Sequence, residues 1–566
     1  MTARSQLCHG FPNISISDVE VAFEVWISLP PVGEDFLHKR RSVYPDRTAV
    51  RCYWKQQCVE EFEELARLKF FDVNETSESE VGSKPFHPKH FHEWGPLSVD
   101  VAMDNYYEIL NSEITPEELS KLKKGKASAE DGITSEFIIN TANNTRQVIL
   151  KVFNECLKQG VYPWNTALIT PLHKKGDKDN PNNYRAIAVG SNLGKLFSSI
   201  LLERLIQFRN IHCPDNQLGF VKEAQTSDHI FTFRTCIEKY TKQKKRLYSC
   251  FVDYCKAFDT VCREALLFKL CKLGIKGNFF NCVKHINQNS SAKLKMLNKI
   301  SEAIDILIGT EQGHPMSPEL FKTYLLDLSI DLNEVLGLKI PNLNGETISH
   351  LLWADDLVVL ALEQRSLQIL IDKVHQFCEL WGLSVNISKT AIMVFNKTGR
   401  QLQESHGFKY GRITIPAART YCYLGIVFNL NGSTTAATDE LRKKGLKAYF
   451  ALKSIINLGE LSTRSVFKLF DALILPVVSY GCQSWLQETN FVKAVISEVD
   501  GKRILQKLAA DPLEKLHLRF LKWTLQVHKK CANLTCYGDT GRFPLVIQLA
   551  KQAISYFNRL LDLDKT

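Results

Sequence analysis

Apolar positions in the middle of this chain follow the pattern of β-strands, and one such stretch contains two adjacent aspartates. From His350 to Leu360 nearly all residues are apolar and strand-forming, except Asp355 and Asp356 near the centre. Strands on both sides of a short polar pair predict a β-hairpin with two carboxylates at its tip. The alternative interpretation of the pair alone is an acidic loop that is merely solvated.

A third carboxylate follows another predicted strand, farther toward the N-terminus. Residues 249–252 predict a buried strand that ends at Asp253. The segment after it predicts an amphipathic helix with Leu266, Leu270 and Leu273 on one face, and Gly274 is expected to end that helix.

These three aspartates favour a metal site. Adjacent carboxylates repel each other unless a cation neutralises them, and Mg²⁺ prefers carboxylate oxygen. Asp253 together with Asp355 and Asp356 is the ligand set typical of two-metal phosphoryl transfer, in which one cation activates an attacking hydroxyl and the other stabilises the leaving oxygen.

Elsewhere the hydrophobic pattern is mainly helical after about residue 435, whereas residues 1 to about 100 are the least interpretable, with an acidic linker over residues 72–84. The other predicted elements are a helix start at Thr115–Glu118, helices over residues 134–160, Leu193–Phe208 and Ser366–Trp381 (ended by Gly382), and a strand over residues 166–174.

Length and charge limit the classes of protein. The 566 residues predict about two to four subdomains. A net charge of +10 and a pI near 8.7 permit a polyanionic partner. One basic run is usually a solvated helix face, but three runs favour a nucleic-acid surface. The runs are Lys121–Lys126, Lys239–Arg246 and Arg442–Lys447.

Cysteine usage and hydropathy predict an intracellular protein. Many of the sixteen cysteines lie in apolar segments, as small core residues do in a reducing compartment; the examples are Cys250, Cys255, Cys271 and Cys378. No charged-then-apolar leader opens the sequence, and the longest apolar run, residues 473–478, is far shorter than a membrane span. We expect a nuclear or cytoplasmic location and no membrane partner.

Gln312 and Gly313 precede a predicted helix that has Ser317 as its N-cap and Pro318 at its first position. A helix start alone accounts for the serine and proline. It does not account for the Gln-Gly pair, which suits close approach of another chain and a hydrogen bond to a template base or sugar.

Cations and one aromatic residue complete the candidate chemistry. Lys174, Lys175 and Arg185 lie on a predicted strand–loop–strand unit, and each alone is more often surface charge than a phosphate contact. Phe258 follows Asp253 by five residues and is either a core aromatic or, beside a bound metal, a ring under the sugar of a nucleotide, where it would exclude a 2′-OH.

The order of these motifs resembles the reverse transcriptases of non-LTR (LINE-type) retrotransposons. The likeness extends over roughly residues 110 to 560 and rests on many segments in the same order. They are Lys126–Glu136, Asn183–Ile187, Gln217–Phe220, Phe251–Val261, Gln312–Pro318, Trp353–Asp356, Gly382–Thr390, Tyr423–Gly425 and Leu475–Trp485.

The resemblance implies a role for each candidate residue. The implied roles are catalytic metal ligands for Asp253, Asp355 and Asp356, protonation of the pyrophosphate leaving group for Lys389, triphosphate contacts for Arg185 with Lys174 or Lys175, sugar selection for Phe258, and template-side contacts for Gln312 and Gly313.

The resemblance also implies an α+β right-hand polymerase fold. The expected divisions are an N-terminal region with its acidic linker (1–110), fingers (111–245), a palm with an antiparallel sheet (246–430) and a helical thumb with a C-terminal extension (431–566), with the reverse transcriptase domain over about 160–430.

The implied function is RNA-directed DNA synthesis, with two Mg²⁺ (or Mn²⁺) ions, an RNA template, a DNA primer and dNTPs. A nucleic-acid-binding remnant without catalysis is the alternative, although no catalytic carboxylate is lost. RNA-templated RNA synthesis is a weaker alternative, against which Phe258 argues.

The sequence departs from the family pattern at several positions, which bears on efficiency more than on fold. The departures are Ala186, Val221–Lys222, Glu311, Trp353 and Gln483. Glu311 is expected to place a negative charge beside the template path.

The first hundred or so residues are too short for an apurinic-type nuclease, and Cys531 and Cys536 are followed by no Cys/His pair at metal spacing. We therefore expect a polymerase portion of an element, with a separate endonuclease as a candidate partner. A zinc site built from His87, His90 and His92 with Cys52 and Cys58 is a weak alternative, because these spacings fit no common ligand pattern.

Overall fold

The computed structural model describes residues 108–121, 125, 127–174, 176–180, 183–209, 217–296, 299–486 and 507–563. The predictions for residues 1–107, including the acidic linker and the histidine–cysteine zinc site, lie outside this part of the chain. Two compact units are present. The first comprises Met1–Pro214, Cys255–Leu328 and Phe377–Ser384, and the second Asp215–Tyr254, Ser329–Gln376 and Val385–Thr566.

The strands, in chain order, are β1 Thr166–His173, β2 Tyr184–Val189, β3 Leu247–Val252, β4 Ser291–Met296, β5 Lys299–Ile300, β6 Ile304–Asp305, β7 Asn342–Leu343, β8 Glu346–Thr347, β9 His350–Trp353, β10 Asp356–Ala361, β11 Ala391–Phe395, β12 Lys409–Tyr410, β13 Ile413–Thr414, β14 Thr420–Tyr423 and β15 Ile426–Asn429.

The α-helices are α1 Ser135–Ile139, α2 Asn143–Gln159, α3 Asn192–Arg209, α4 Thr226–Lys242, α5 Arg263–Lys272, α6 Gly277–Gln288, α7 Ser317–Tyr324, α8 Leu326–Asn333, α9 Gln364–Trp381, α10 Thr435–Ile455, α11 Thr463–Leu473, α12 Leu475–Val478, α13 Cys482–Trp485, α14 Pro512–Thr524, α15 Asn533–Thr540 and α16 Leu545–Leu563. Short 3₁₀ helices span Glu118–Lys121, Ala257–Thr260 and Gln403–Ser405.

The first unit is built around a sheet of order β2-β1-β4-β5, with β6 also paired to β4. Strand β1 is antiparallel to β2 and parallel to β4. Helices α2 and α3 contribute Phe153 and Phe197, both fully buried, whose ring centroids lie 5.2 Å apart. Helix α2 ends at Gly160, which has a φ of 67° and donates its N–H to the carbonyls of Cys156 and Leu157.

The second unit contains an antiparallel sheet of order β11-β3-β10-β9. All six residues of β3 are buried, as expected for a central strand covered on both faces. On helix α4, Phe233 packs its ring edge-on against Phe251 of β3, Phe395 of β11 and Phe428 of β15, at centroid distances of 5.7, 5.5 and 4.9 Å. Each such pair contributes about 0.5–1.5 kcal/mol beyond simple area burial, so this cluster fixes the sheet rigidly.

The C-terminal helices α10–α16 extend the core of the second unit. Trp485 of α13 is almost fully buried, and its indole N–H donates to the carbonyl of Tyr480 at 2.9 Å. Asp511 caps α14, where its side chain accepts from the N–H of Leu513 at 2.8 Å. The predicted helical character of this region is confirmed for the residues that the structure describes.

Most predicted elements are confirmed. The hairpin forms from β9 and β10, the buried strand before Asp253 is β3, and α5 is followed by Gly274, whose φ of 89° is left-handed. Of the four cysteines predicted to be core residues, Cys250 is fully buried and Cys378 is 1% exposed. Cys255 and Cys271 are only partly buried, so the prediction is wrong for these two. Within the described part of the chain, no helix is both long and apolar enough to cross a membrane.

Three boundary predictions are wrong in detail. The helix expected over residues 134–160 is two helices, because the helical conformation is interrupted between the C-cap Asn140 and the N-cap Ala142. The helix expected at Thr115 is only the 3₁₀ turn Glu118–Lys121. Ser317 is the first residue of α7 rather than its N-cap, which is Met316.

Candidate active site

The antiparallel pairing of β3 with β10 sets the position of two of the predicted aspartates. Leu357 of β10 pairs with Val252 of β3 at the end of the ladder. Asp356 precedes Leu357 and Asp253 follows Val252, so in this register the two aspartates stand across from each other just beyond the last pair. Asp355 belongs to the adjoining turn, because Asp356 pairs with Trp353 in the β9–β10 hairpin.

The electrostatics of these carboxylates reflect their proximity. Burial and, after it, the negative charges of Asp355 and Asp253 together raise the pKa of Asp356 to about 6. The Oδ2 atom of Asp253 is buried and accepts no hydrogen bond, although Lys389 Nζ lies 3.4 Å from it. An added cation would reduce the repulsion between the carboxylates and would give the Oδ2 atom of Asp253 a binding partner.

Lys389 reaches Asp253 because the segment around it runs beside the end of β3. The N–H of Asn386 donates to the backbone carbonyl of Asp253 at 2.7 Å, and the N–H of Asp253 donates to Thr390 Oγ1 at 3.2 Å. Tyr254 and Val385 form an antiparallel bridge next to these contacts. Sequence reasoning did not identify Asn386 and Thr390; their only signal was a position inside the same motif as Lys389.

Tyr421 is a third residue near the carboxylates that sequence reasoning missed. Its ring stacks on Phe251 of β3, with centroids 4.1 Å apart and planes 13° from parallel. Burial raises the pKa of Tyr421 above its usual value, and Asp253 and Asp356 raise it further. Strand-like alternation with the neighbouring Tyr423 is the sequence signal that could have drawn attention to it.

The residues present suit a divalent cation in type, since carboxylate oxygens are the ligands of Mg²⁺ and Mn²⁺. Among the residues that the structure describes, however, no group of three or more His, Cys, Asp or Glu side chains is arranged to hold a metal ion. The cation site of Asp253, Asp355 and Asp356 therefore stays a prediction.

The first unit holds the residues expected on the substrate side, and Phe258 is one of them. Its ring is half-buried and stacks on Phe321 of α7, with centroids 4.4 Å apart. Its carbonyl accepts the N–H of Thr310 at 2.8 Å. The ring is thus held in a fixed place without being enclosed in the core.

Gln312 and Gly313 lie beside strand β2. The carbonyl of Gln312 accepts the N–H of Ala188 at 2.8 Å, and its Nε2 donates to Asp259 Oδ1 at 2.8 Å. Gly313 has a φ of +118°, and a Cβ there would lie 2.5 Å from the carbonyl oxygen of Ala188. Only glycine fits this position, because strand β2 of the same chain approaches it so closely. The predicted approach of another chain at Gly313 stays a prediction.

The predicted phosphate-contacting cations lie at the β1–β2 hairpin of the same unit. The N–H of Lys174 donates to the carbonyl of Asn183 at 2.7 Å, so Lys174 closes the hairpin, and Arg185 is exposed on β2 opposite Leu172. Lys175 lies outside the described residues. Asn183 Nδ2 donates to the carbonyl of Asp177 at 2.8 Å, a second contact within the same hairpin.

Glu311 differs from expectation. Burial raises the pKa of its carboxyl to about 7, although the charge of Arg263 opposes the shift. Burial therefore favours the protonated, neutral form of this carboxyl, contrary to the negative charge expected at this position.

Comparison with known proteins supplies the context for this geometry. Residues 172–428 match the family model described as reverse transcriptase (RNA-dependent DNA polymerase). That segment includes all the candidate residues named above.

Relatives with sequence similarity are retrotransposon proteins. The Pol polyprotein of the R2 element of Popillia japonica is 27% identical over 64% of this chain and 50% of its own length. The R2DM polyprotein of Drosophila melanogaster is 26% identical over 67% of this chain and 36% of its own length, and the RNA-directed DNA polymerase of the mobile element jockey of Drosophila funebris is 24% identical over 64% and 40%.

Among solved structures, apo telomerase from Candida tropicalis aligns over 48% of this chain and 54% of its own, with 16% identity and a TM-score of 0.34, a likeness too weak to bear on the fold.

The class of protein follows from the family match and the order of the motifs: residues 172–428 are a reverse transcriptase domain, in the enzyme class of RNA-directed DNA polymerases. The relatives with sequence similarity belong to non-LTR (LINE-type) retrotransposons, so the resemblance seen in the motifs is confirmed. The predicted α+β right-hand polymerase fold is likewise confirmed. The match spans half or less of the length of these three relatives.

Proposed function

We propose that this protein is an RNA-directed DNA polymerase that adds deoxynucleotides to the 3′-OH of a primer. The observation that carries the proposal is the register of β3 and β10, which sets Asp253 and Asp356 across from each other at the end of one buried sheet. Like charges of this kind are costly unless a cation is their partner. The match to the reverse transcriptase family supplies the reaction class.

In this proposal Asp253, Asp355 and Asp356 hold two Mg²⁺ (or Mn²⁺) ions. Such ions, when bound, would lower the pKa of the primer hydroxyl and would stabilise charge on the phosphate oxygens. Lys389, whose ammonium already lies 3.4 Å from Asp253 Oδ2, supplies a proton to the departing pyrophosphate.

The other candidate residues bind and select substrates. Arg185 and Lys174, with Lys175, contact the triphosphate, since guanidinium and ammonium groups pair with phosphate oxygens. Phe258, fixed by its stacking on Phe321, excludes a 2′-OH. Gln312 and Gly313 contact the template; the hydrogen bond from Gln312 to Asp259 supports a fixed orientation.

The domain organisation belongs to the same proposal. Residues 111–245 are fingers, 246–430 the palm and 431–566 the thumb with its extension. The partners are an RNA template, a DNA primer and dNTPs, with phosphate contacts that make affinity fall as salt rises. The protein works in the nucleus or cytoplasm, and a separate endonuclease supplies the priming nick.

A primer-extension assay tests the proposal. Purified protein with a polyriboadenylate template, an oligodeoxythymidylate primer, dTTP and Mg²⁺ should yield extended primer, and Asp253→Asn should reduce the rate at least about a thousandfold because a metal ligand is lost. Asp372→Asn, at an exposed position of α9, is the matched control and should leave the rate unchanged. Equal rates for Asp253→Asn and wild type would refute catalysis by this site.

A nucleic-acid-binding remnant without catalysis is the second candidate. The observation that favours it is the ion pair of Lys389 with Asp253, which neutralises part of the cluster without a metal. Salt-sensitive binding to primer–template, with no extension in Mg²⁺ or Mn²⁺, would select this candidate.

A further inference from the structure

The turn at the tip of the β9–β10 hairpin has an unusual backbone. Asp356 pairs with Trp353, so only Ala354 and Asp355 connect the two strands. Ala354 has a φ of +56°, in the left-handed region that residues with a Cβ rarely adopt, and its side chain is buried. Such a conformation persists only where surrounding groups hold it. Because Asp355 is the next residue, the groups that hold Ala354 also affect the position of Asp355.

The segment that holds this turn is Gln217–Phe220. Gln217 forms a parallel bridge with Leu352 of β9, and the N–H of Leu218 donates to the Leu352 carbonyl at 3.2 Å. Gln217 Oε1 accepts two backbone N–H groups, from Gly219 at 3.0 Å and from Ala354 at 3.3 Å. One side-chain oxygen therefore joins this segment to the left-handed residue of the turn.

Gly219 allows the two backbones to meet. A Cβ at this position would lie 2.2 Å from the nitrogen of Ala354 and 2.9 Å from its Cα. These are distances that no side chain tolerates next to a rigid backbone, so any larger residue would push the segment away from the turn. Glycine is required here by close approach rather than by a positive φ.

The other end of the Gln217 carboxamide shows what the residue contributes. Gln217 is only 4% exposed, and its Nε2 has no hydrogen-bond partner among the described residues. A buried donor without a partner is destabilising, so an apolar side chain of equal size would suit the packing better. The distinctive contribution of Gln217 is its oxygen, which accepts the N–H of Ala354.

We propose that Gln217 is a positioning residue for the catalytic carboxylates: it fixes the Ala354 peptide, and so orients the carboxylate of Asp355 toward the bound cation. The inference deepens the proposed polymerase function and rests on it. Gln217 acts through the turn and touches neither nucleotide nor primer. Gly219 is the second part of the device, because it brings the Gln217 oxygen within reach.

The test compares Gln217→Met with Gln483→Met. Methionine matches glutamine in length but lacks the carbonyl acceptor, and Gln483 of α13 is also buried, at 5% exposure, in the same unit. Gln217→Met should lower kcat of primer extension about 10- to 100-fold, the usual effect of removing a group that orients a metal ligand. The KM for dNTP should stay within about twofold, and Gln483→Met should lower kcat by much less than Gln217→Met does.

A second measurement is independent of turnover. Titration of Mn²⁺ into the full protein without nucleic acid, followed by the electron paramagnetic resonance signal of free Mn²⁺, should show about tenfold weaker binding in Gln217→Met. Thermal midpoints of the two glutamine variants provide the folding control. Gln217→Asn, which keeps the amide but withdraws its oxygen by one methylene, replaces Gln217→Met if the latter does not fold.

The outcomes separate this inference from the proposed function. Unchanged kcat and unchanged Mn²⁺ affinity in Gln217→Met overturn it, as does a loss no greater than that of Gln483→Met. If the wild type extends no primer, the polymerase function fails, and the Mn²⁺ titration alone decides the positioning role. A wild type that binds no Mn²⁺ overturns both.

Discussion

The two sets of candidate residues are fixed in different ways. In the second unit, Asp253 and Asp356 are fixed by the register of two buried strands, and moving either one would require the sheet to re-pair. In the first unit, Phe258 and Gln312 are fixed by individual contacts: a ring stacked on Phe321 and one side-chain hydrogen bond to Asp259. A shift in strand register would move all residues of the strand together, whereas a single side-chain contact can be removed by one substitution.

This difference suggests a division between chemistry and selection. In the proposed mechanism the carboxylates that would hold the cations need positions accurate to a fraction of an ångström, which paired strands provide. Residues that select substrates can differ in shape without loss of the reaction, and loops suit them. Substitutions of the carboxylates should therefore lower the rate of the reaction strongly, whereas substitutions of the other set should have smaller effects, mainly on substrate selection and binding.

The largest effect is expected at the register-defined set. Asp355→Asn should abolish primer extension, a loss of about a thousandfold or more, because one cation loses a ligand. The same change should slightly raise the thermal midpoint of the metal-free protein, since one of the charges that raise the pKa of Asp356 is gone. Single-turnover extension and a thermal melt in EDTA measure the two effects, and wild-type rates would remove Asp355 from the mechanism.

A smaller and more selective effect is expected at Phe258. Phe258→Val should raise the efficiency of ribonucleotide incorporation about 10- to 100-fold while deoxynucleotide incorporation stays near wild type. The reason is that a smaller side chain leaves room for the 2′-OH. Competition between rNTP and dNTP on one primer measures the ratio.

Phe321→Leu, which removes the stacked partner but keeps Phe258, is the matched variant and should show an intermediate ratio if the stacking holds the ring. Unchanged discrimination in Phe258→Val would leave this residue with a packing role only.

Arg185 should affect binding more than chemistry. Arg185→Ala should raise the KM for dNTP about tenfold with a smaller change in kcat, because a phosphate contact is lost while the metal site is intact. Arg412→Ala, at an exposed position of the second unit, is the control for loss of one surface cation. A fall in kcat at constant KM would instead place Arg185 in the chemical step.

The smallest effect on turnover is expected at Glu311, where stability is the informative measurement. The folded-state pKa of about 7 lies above the ordinary value of 4.5, so the folded protein binds the proton more tightly than the unfolded chain. The contribution of this bound proton to the free energy of unfolding is fully present below pH 4.5 and is lost as the pH rises through 7. Relative to Glu311→Gln, the wild type should lose up to about 3 kcal/mol of unfolding free energy over this range.

Denaturant unfolding of both proteins between pH 4.5 and 8 tests this prediction. Parallel pH profiles would show that Glu311 is solvated and charged. Such a result would also restore the expectation of a negative charge beside Gln312.

The sequence by itself determined the local elements around the candidate site. Alternating and continuous apolar runs predicted β3 and the β9–β10 hairpin, and Gly274 and Gly382 marked the ends of α5 and α9, where their φ values are positive. These features depend on residues that are close together in the sequence, so a short segment is sufficient to predict each of them. The order of motifs, also a local property, was sufficient for the reverse transcriptase family.

Tertiary structure alone decided which side chains meet. The register that sets Asp253 across from Asp356 depends on pairing between segments far apart in the chain, and a shift of one residue would have turned each side chain to the opposite face. The contacts of Lys389 with Asp253 and of Gln217 with Ala354 are likewise long-range. The protonation of Glu311 depends on burial, which no short window encodes, because desolvation is a property of the folded surroundings rather than of the residue.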